Sequence, residues 1–184
     1  MPPATRGTLD LNADAGESFG PWVMGDDEAL FRELTSVNLA CGFHAGDPSR
    51  MLEAIARAER LGVAVGAHPG YPDLVGFGRR FLAMSAAELH AAVVYQVGAL
   101  RAMLEARGMR LHHVKAHGAL YLQMARDDAT ATAVARAVSH VAPEAPLVVL
   151  GGPGGDKMRA AAAACGARSV DEAFPDRAYD SAGN

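Results

Sequence analysis

Cysteine is almost absent. The two present, Cys41 and Cys165, cannot make a disulfide framework, so a reducing compartment is the natural setting. No apolar run is long enough to span a bilayer, and the opening residues, MPPATRG, lack the apolar stretch of a signal peptide. A cytoplasmic protein with no membrane partner is therefore expected. Basic charge is not in excess either: the formal net charge is −4 and Lys and Arg are scattered rather than striped, which argues against a nucleic-acid footprint. No linker, low-complexity tract or internal repeat divides the 184 residues, so one domain over 1–184 is expected. A chain of that size buries roughly 70% of its unfolded surface on folding.

What is present is an alternation of short strand-like runs and longer helical segments. Strands are expected over residues 8–14, 36–42, 63–68, 112–117, 146–151 and 167–173. Asp47 followed by Pro48 reads as an N-cap with proline at the first helical position, opening a helix that runs to Gly62. Its core stripe is read as Met51, Leu52, Ile55 and Leu61. Ser85 with Glu88 reads as a capping box, followed by the apolar face Leu89, Val93, Val97, Leu100 and Leu104, and Gly108 as the stop. Helices over 127–141 and 156–165 complete the series. Such alternation calls for a parallel sheet, either a closed barrel or an open doubly wound sheet. The polar content of the strands favours the barrel.

Alternate residues of a strand share a face. The first strand groups Asp10, Asn12 and Asp14, with Leu9 and Leu11 opposite. The second groups Asn38, Ala40 and Gly42, with His44 just beyond its end; the third groups Ala64, Gly66 and His68. The fourth groups His113, Lys115 and His117, with Val114 opposite. Four strands thus carry one apolar face and one that is small or ionisable. Asp14, His44, His68 and His117 collect near the C-terminal strand ends, where (β/α) barrels and open α/β sheets build their active sites. Burying several ionisable groups together is costly unless they are paired, bind metal or meet a ligand. Singly, the residues have plainer readings: Asp47 as a cap, Cys41 as a small packed residue, and His90 and His140 as helix residues without a role.

Two further segments stand out. Residues 69–84 form a long connection holding Arg79 and Arg80, and a guanidinium there could grip a substrate carboxylate bidentately. Arg80 reads equally well as a solvated surface residue. The run GGPGGDK, residues 151–157, fails the phosphate-loop spacing because Asp156 stands where a glycine belongs, so a tight strand-to-helix turn is expected.

LDLNADAGE (9–17), NLACGFHAGD (38–47), GAHPGYPD (66–73), FGRR (77–80), VKAHGALY (114–121) and FPDRAY (174–179) together resemble the LamB/YcsF family of 5-oxoprolinase A subunits. The resemblance implies a (β/α) barrel of the polysaccharide-deacetylase and glycoside-hydrolase type. It implies ATP-dependent conversion of 5-oxoproline to L-glutamate in company with partner subunits B and C. Carried over by position, it points to Asp14, Glu17, His44, His68, Lys115 and His117 as the pocket, with Arg79 beside it. Nothing in the sequence matches a closing segment after FPDRAY, so the barrel is expected to be C-terminally incomplete here.

Under that expectation, ATP with Mg²⁺, on the partner subunits, activates the lactam carbonyl, and Asp14 or His68 serves as general base. Lys115 or His117 stabilises the oxyanion or protonates the leaving nitrogen, and Asn12, Glu17, Asn38, His44 and Arg79 bind substrate. The alternative is a metal-dependent, deacetylase-like amide hydrolase, in which Asp14, His44 and His68 hold a divalent ion. A non-catalytic ligand-binding subunit is a third reading, opposed by the number of ionisable groups.

Overall fold

The computed structural model describes residues 9–175. Six strands pair in parallel in the order of the sequence: β1 (Asn12–Ala15), β2 (Ser36–Ala40), β3 (Ala64–His68), β4 (Leu111–Val114), β5 (Leu147–Leu150) and β6 (Ser169–Glu172). Between them run α1 (Asp27–Phe31), α2 (Pro48–Leu61), α3 (Ala86–Glu105), α4 (Gly118–Arg126), α5 (Asp128–Val141) and α6 (Asp156–Ala164). Sequential order decides between the two architectures. A doubly wound sheet reverses its strand order at a switch point, whereas here every crossover advances in one direction. Crossovers of one hand then place the helices on one face of the sheet. The six strands form the arc of a partial barrel, with the opposite face left for polar side chains.

The core lies between strands and helices. Val37, Leu39, Val65, Ala67 and Val114 meet Ile55, Val97, Leu100, Leu104 and Leu120, all at or near zero exposure. Each such large side chain contributes about 1.5–3 kcal/mol through removal from water. The helix ends follow the sequence signals. Asp47 accepts from the amides of Ser49 and Arg50, and Gly62 closes α2 at φ 71°, a left-handed conformation that glycine adopts without Cβ strain. Ser85 and Glu88 form both halves of the capping box of α3.

Several expectations are corrected. The strand expected over 8–14 begins at Asn12; Thr8 lies outside the described residues. Ahead of it, the amide of Leu11 takes the hydroxyl of Thr35 instead of a ladder carbonyl. Leu9 and Leu11 consequently face solvent rather than a helix. β3 starts one residue late because the amide of Val63 still bonds to Ala58 at the end of α2. β4 ends at Val114 rather than His117. Even so, the amides of Lys115 and His117 bond to Ala67 and Pro69, so both residues stay aligned with β3. In α2 the stripe gains Ala54 and Ala58 beside Met51 and Ile55, Leu61 packs partly buried against the core, and only Leu52 departs, 46% exposed; the small alanines let the helix lie close on the sheet. Two helices, α1 and α4, were not foreseen.

Candidate functional site

The polar face of the strands carries a continuous hydrogen-bonded row. Ser36 donates to Asp10 (2.8 Å), Asn12 donates to Ser36 (2.8 Å), and Asn38 donates to Asn12 (2.5 Å) and to Asp14 (2.8 Å). His113 Nε2 lies 2.5 Å from Asn38 Oδ1. Asn12 and Asn38 thus find their partners within the protein and fix the orientation of Asp14.

Above this row, at the C-terminal strand ends, Asp14 Oδ1 lies 3.3 Å from His68 Nε2 and 3.7 Å from Lys115 Nζ. The Asp14 side chain is 40% exposed while that of Lys115 is 10% exposed, so the carboxylate stands at the open edge of the site and the ammonium beneath it. Burial disfavours charge on Asp14, but His68, Lys115 and Asn38 together outweigh it and hold the carboxyl well below the usual carboxylate range. Lys115 also meets Glu172 at 2.8 Å and sits over the rings of Tyr121 and Phe174. Glu172 on β6 had no place in the sequence reading. Its signal would have been the carboxylate at the C-terminal end of the last strand.

Behind Asp14 stand three histidines. The ring of His44 stacks on that of His117 at 3.8 Å between centroids, and His68 meets both edge-on. Desolvation first, then the neighbouring histidines, pushes His44 down to about 2 and His117 down to about 4, so both are neutral imidazoles near pH 7. His68 Nδ1 lies 2.7 Å from the carbonyl of Lys115, and His117 Nε2 lies 2.7 Å from the carbonyl of Phe77. His44 differs: both its ring nitrogens are buried without a hydrogen-bond partner among the described residues. Glu17 follows β1 and brings a carboxylate whose pKa is raised, chiefly by burial. Glu17, His44, His68 and His117 each present one donor atom, and all four atoms lie within 4.8 Å of one another. Asp14, expected as the carboxylate of a metal set, is not a member of that group.

The long connection closes the site from the side. Phe77 adopts a left-handed φ of 55°, unusual for a residue with a side chain, and this turns its carbonyl toward His117. Arg80 clamps Asp73 with two donors and ties the loop to itself. Arg79 is exposed and lies over the Phe77 ring at 5.6 Å. The run 151–157 is a tight turn: Arg159 fills it by donating to the carbonyls of Leu150 and Gly152, and Lys157 reaches away to Asp128. Asp47 and Cys41 keep their plain roles, as cap and packed side chain, and His90 pairs with His140 on the outer helices. Of FPDRAY, residues 176–179 lie outside the described residues. No helix among the described residues is long and apolar enough to cross a membrane.

Comparison with known proteins finds close relatives of this chain. A profile described as the LamB/YcsF family matches residues 9–184. A 5-oxoprolinase A subunit from Deinococcus radiodurans is 56% identical over 172 residues, 94% of this chain and 67% of that protein. One from Thermus thermophilus is 57% identical over 171 residues, 93% of this chain and 67% of that protein. The crystal structure of a lactam utilization protein, also from Thermus thermophilus, superposes with a TM-score of 0.92 at 56% identity, covering 96% of this chain and 70% of that one. The chain thus spans about two thirds of the length of these relatives.

Proposed function

The chain belongs to the LamB/YcsF family, and from that premise we propose that it acts as the A subunit of an ATP-dependent 5-oxoprolinase, a hydrolase that opens the lactam of 5-oxo-L-proline to L-glutamate. The observation that carries the reading is the Asp14–Lys115 pair, an ionised carboxylate and an ammonium 3.7 Å apart on neighbouring strand ends. A five-membered lactam is an unactivated amide, so its carbonyl must be made electrophilic before water adds. ATP with Mg²⁺, held by partner subunits B and C, supplies that activation as a phosphorylated lactam. Asp14 takes the proton of the attacking water as the C=N electron pair passes to the ring nitrogen, which gains a proton. Lys115 faces the oxyanion formed when the adduct's hydroxyl ionises. The ring C–N bond then breaks to leave the acyl phosphate of glutamate, and a second water releases L-glutamate and inorganic phosphate. Arg79 on the loop edge receives the substrate carboxylate. Assignment of ATP to the partners is supported by the 151–157 turn, which departs from the phosphate-loop spacing at Asp156 and whose Lys157 is paired with Asp128. The work would be cytoplasmic, on a barrel of the polysaccharide-deacetylase and glycoside-hydrolase type.

The test is glutamate formation from 5-oxoproline and ATP, with this chain alone and with subunits B and C added. Turnover should need all three subunits. Robust ATP-dependent turnover by the chain alone would overturn the division of labour, and none from the complete set would overturn the activity.

A further inference from the structure

From the register of β3 and β4 we infer that His113 is a positioning residue: it reaches over β3 to lock the Asn38 amide, and through that amide the Asp14 carboxylate. Its effect on turnover rests on the lactam reading above; its geometry does not.

The two strands fall out of step at this point. Val65 pairs with Leu111 and Ala67 with Val114, so His112 and His113 together oppose Gly66 alone. A bulge of this kind re-aims side chains, and bulges are common beside active sites. Gly66 is itself in register with Asn38 on β2. With no side chain on β3 at that level, the His113 ring lies across the gap. Its Nε2 thereby reaches Asn38 Oδ1, two strands away, at 2.5 Å. A Cβ on residue 66 would fall 2.1 Å from that same Nε2. The glycine is the slot and the imidazole fills it.

The hydrogen bonds in this row run one way. Asn38 gives its amide protons to Asn12 Oδ1 at 2.5 Å and to Asp14 Oδ1 at 2.8 Å. Its own Oδ1 only accepts, so His113 carries its proton on Nε2. Burial keeps that ring neutral near pH 7, which leaves Nδ1 with a lone pair. His112 Nδ1, 2.9 Å away, donates to it and fixes the tautomer. An Asn38 amide turned over would set its oxygen against Asp14 and Asn12, and its N–H groups against the N–H of His113. Without the His113 donor, Oδ1 becomes an orphaned acceptor on a wholly buried side chain, and the amide has reason to turn or tilt. Asp14, whose side chain is 40% exposed, would then lose the donor that holds it from below.

Two measurements test the inference, and the first needs no turnover. Asparagine stands only at 12, 38 and 184, so isotopic labelling of asparagine gives three side-chain amide signals to assign by NMR. The Asn38 amide protons should exchange slowly with water in the wild type and in His113→Gln, which keeps a donor of similar reach. They should exchange faster in His113→Phe and in the smaller His113→Leu. The second measurement is steady-state kinetics with subunits B and C, each rate referred to the folded fraction from a thermal melt. His113→Phe and His113→Leu should lower kcat by roughly 10²-fold, the loss expected when a reacting group is slightly misplaced, with KM little changed. His113→Gln should recover most of that loss. In an Asn38→Ala background, His113→Phe should cost nothing further, because residues acting in series do not add. Equal amide exchange in the wild type and His113→Phe would overturn the inference. So would an unchanged kcat, equal losses in His113→Gln and His113→Phe, or losses that add to those of Asn38→Ala. A held Asn38 amide in a chain whose complete set never opens 5-oxoproline would sink the lactam reading alone.

Discussion

Lys115 on the exit of β4 is bonded at 2.8 Å to Glu172 on β6, across the intervening strand, while its other carboxylate neighbour, Asp14, belongs to β1. One ammonium therefore ties the two ends of the sheet together at the site. Its pairing with Glu172 leaves the more open Asp14 carboxylate free to meet water.

Removing that ammonium should be costly for chemistry. With subunits B and C present, Lys115→Ala is expected to lower turnover by roughly 10²–10⁴, the range for losing an acid–base group. Glu172→Gln should cost less and should change the pH profile of turnover, since it alters the partner of Lys115 and not Lys115 itself. Steady-state rates across pH check both. Unchanged turnover in Lys115→Ala would remove it from the reaction.

His68→Ala should lower turnover over the same range, with a modest change in melting temperature. Its control is Val97→Ala on α3, fully buried in the core. That change removes packed methyl groups and should cost about 1–3 kcal/mol of stability while sparing turnover in folded protein. If His68→Ala melts early and its folded fraction keeps full activity, His68 is structural.

Gly66 on β3 lies against the His113 ring so closely that an added Cβ would fall among the ring atoms. Gly66→Ala should destabilise the protein by about 1–3 kcal/mol through overpacking, read from chemical denaturation. His113→Ala in the same background should recover part of the loss. Additive losses would show that the two positions do not press on each other.

Burial pushes His113 down to about 3, with His112 adding to the effect. An unfolded histidine titrates near 6.5. Between these values the unfolded chain binds the extra proton, so this residue's contribution to stability is intact above about pH 6.5 and declines as pH falls toward 3. Denaturation midpoints measured from pH 7 to 4 should drop more steeply in the wild type than in His113→Gln. Parallel curves would mean that the group does not titrate with folding.

Much of the fold was legible because its signals are local. Asp47 and Pro48, or Ser85 and Glu88, satisfy amides within their own helical turn, and the alternation of Asn12, Asp14, Asn38 and His68 follows from the pleat alone. Helix α4 lacks such a signal: it starts at Gly118 behind His117, whose side chain makes no cap bond. Helix α1 has five residues, too few for a periodic stripe, although Asp26 does cap it. Within the site, the strand residues were legible and the pairings were not. Glu17 and Phe77 sit on loops, where no period relates a position to a direction. Glu172 gains its meaning from Lys115, a residue on a different strand. The same limit hides the clamp on Asp73 that Arg80, still a surface residue, makes across the loop.

The sequential strand order has a consequence for how the site comes into being. Each strand pairs with the next along the chain, so the sheet can grow one neighbour at a time, at modest loop-closure cost. Asp14 and Lys115, however, are about a hundred residues apart in sequence, and meet only when β1 through β4 are all in place. The chemistry thus depends on all four of these strands at once, whereas each helix depends only on its own turns. Activity should fade before helix content as denaturant is raised, which makes turnover a more sensitive gauge of the intact sheet than its circular dichroism.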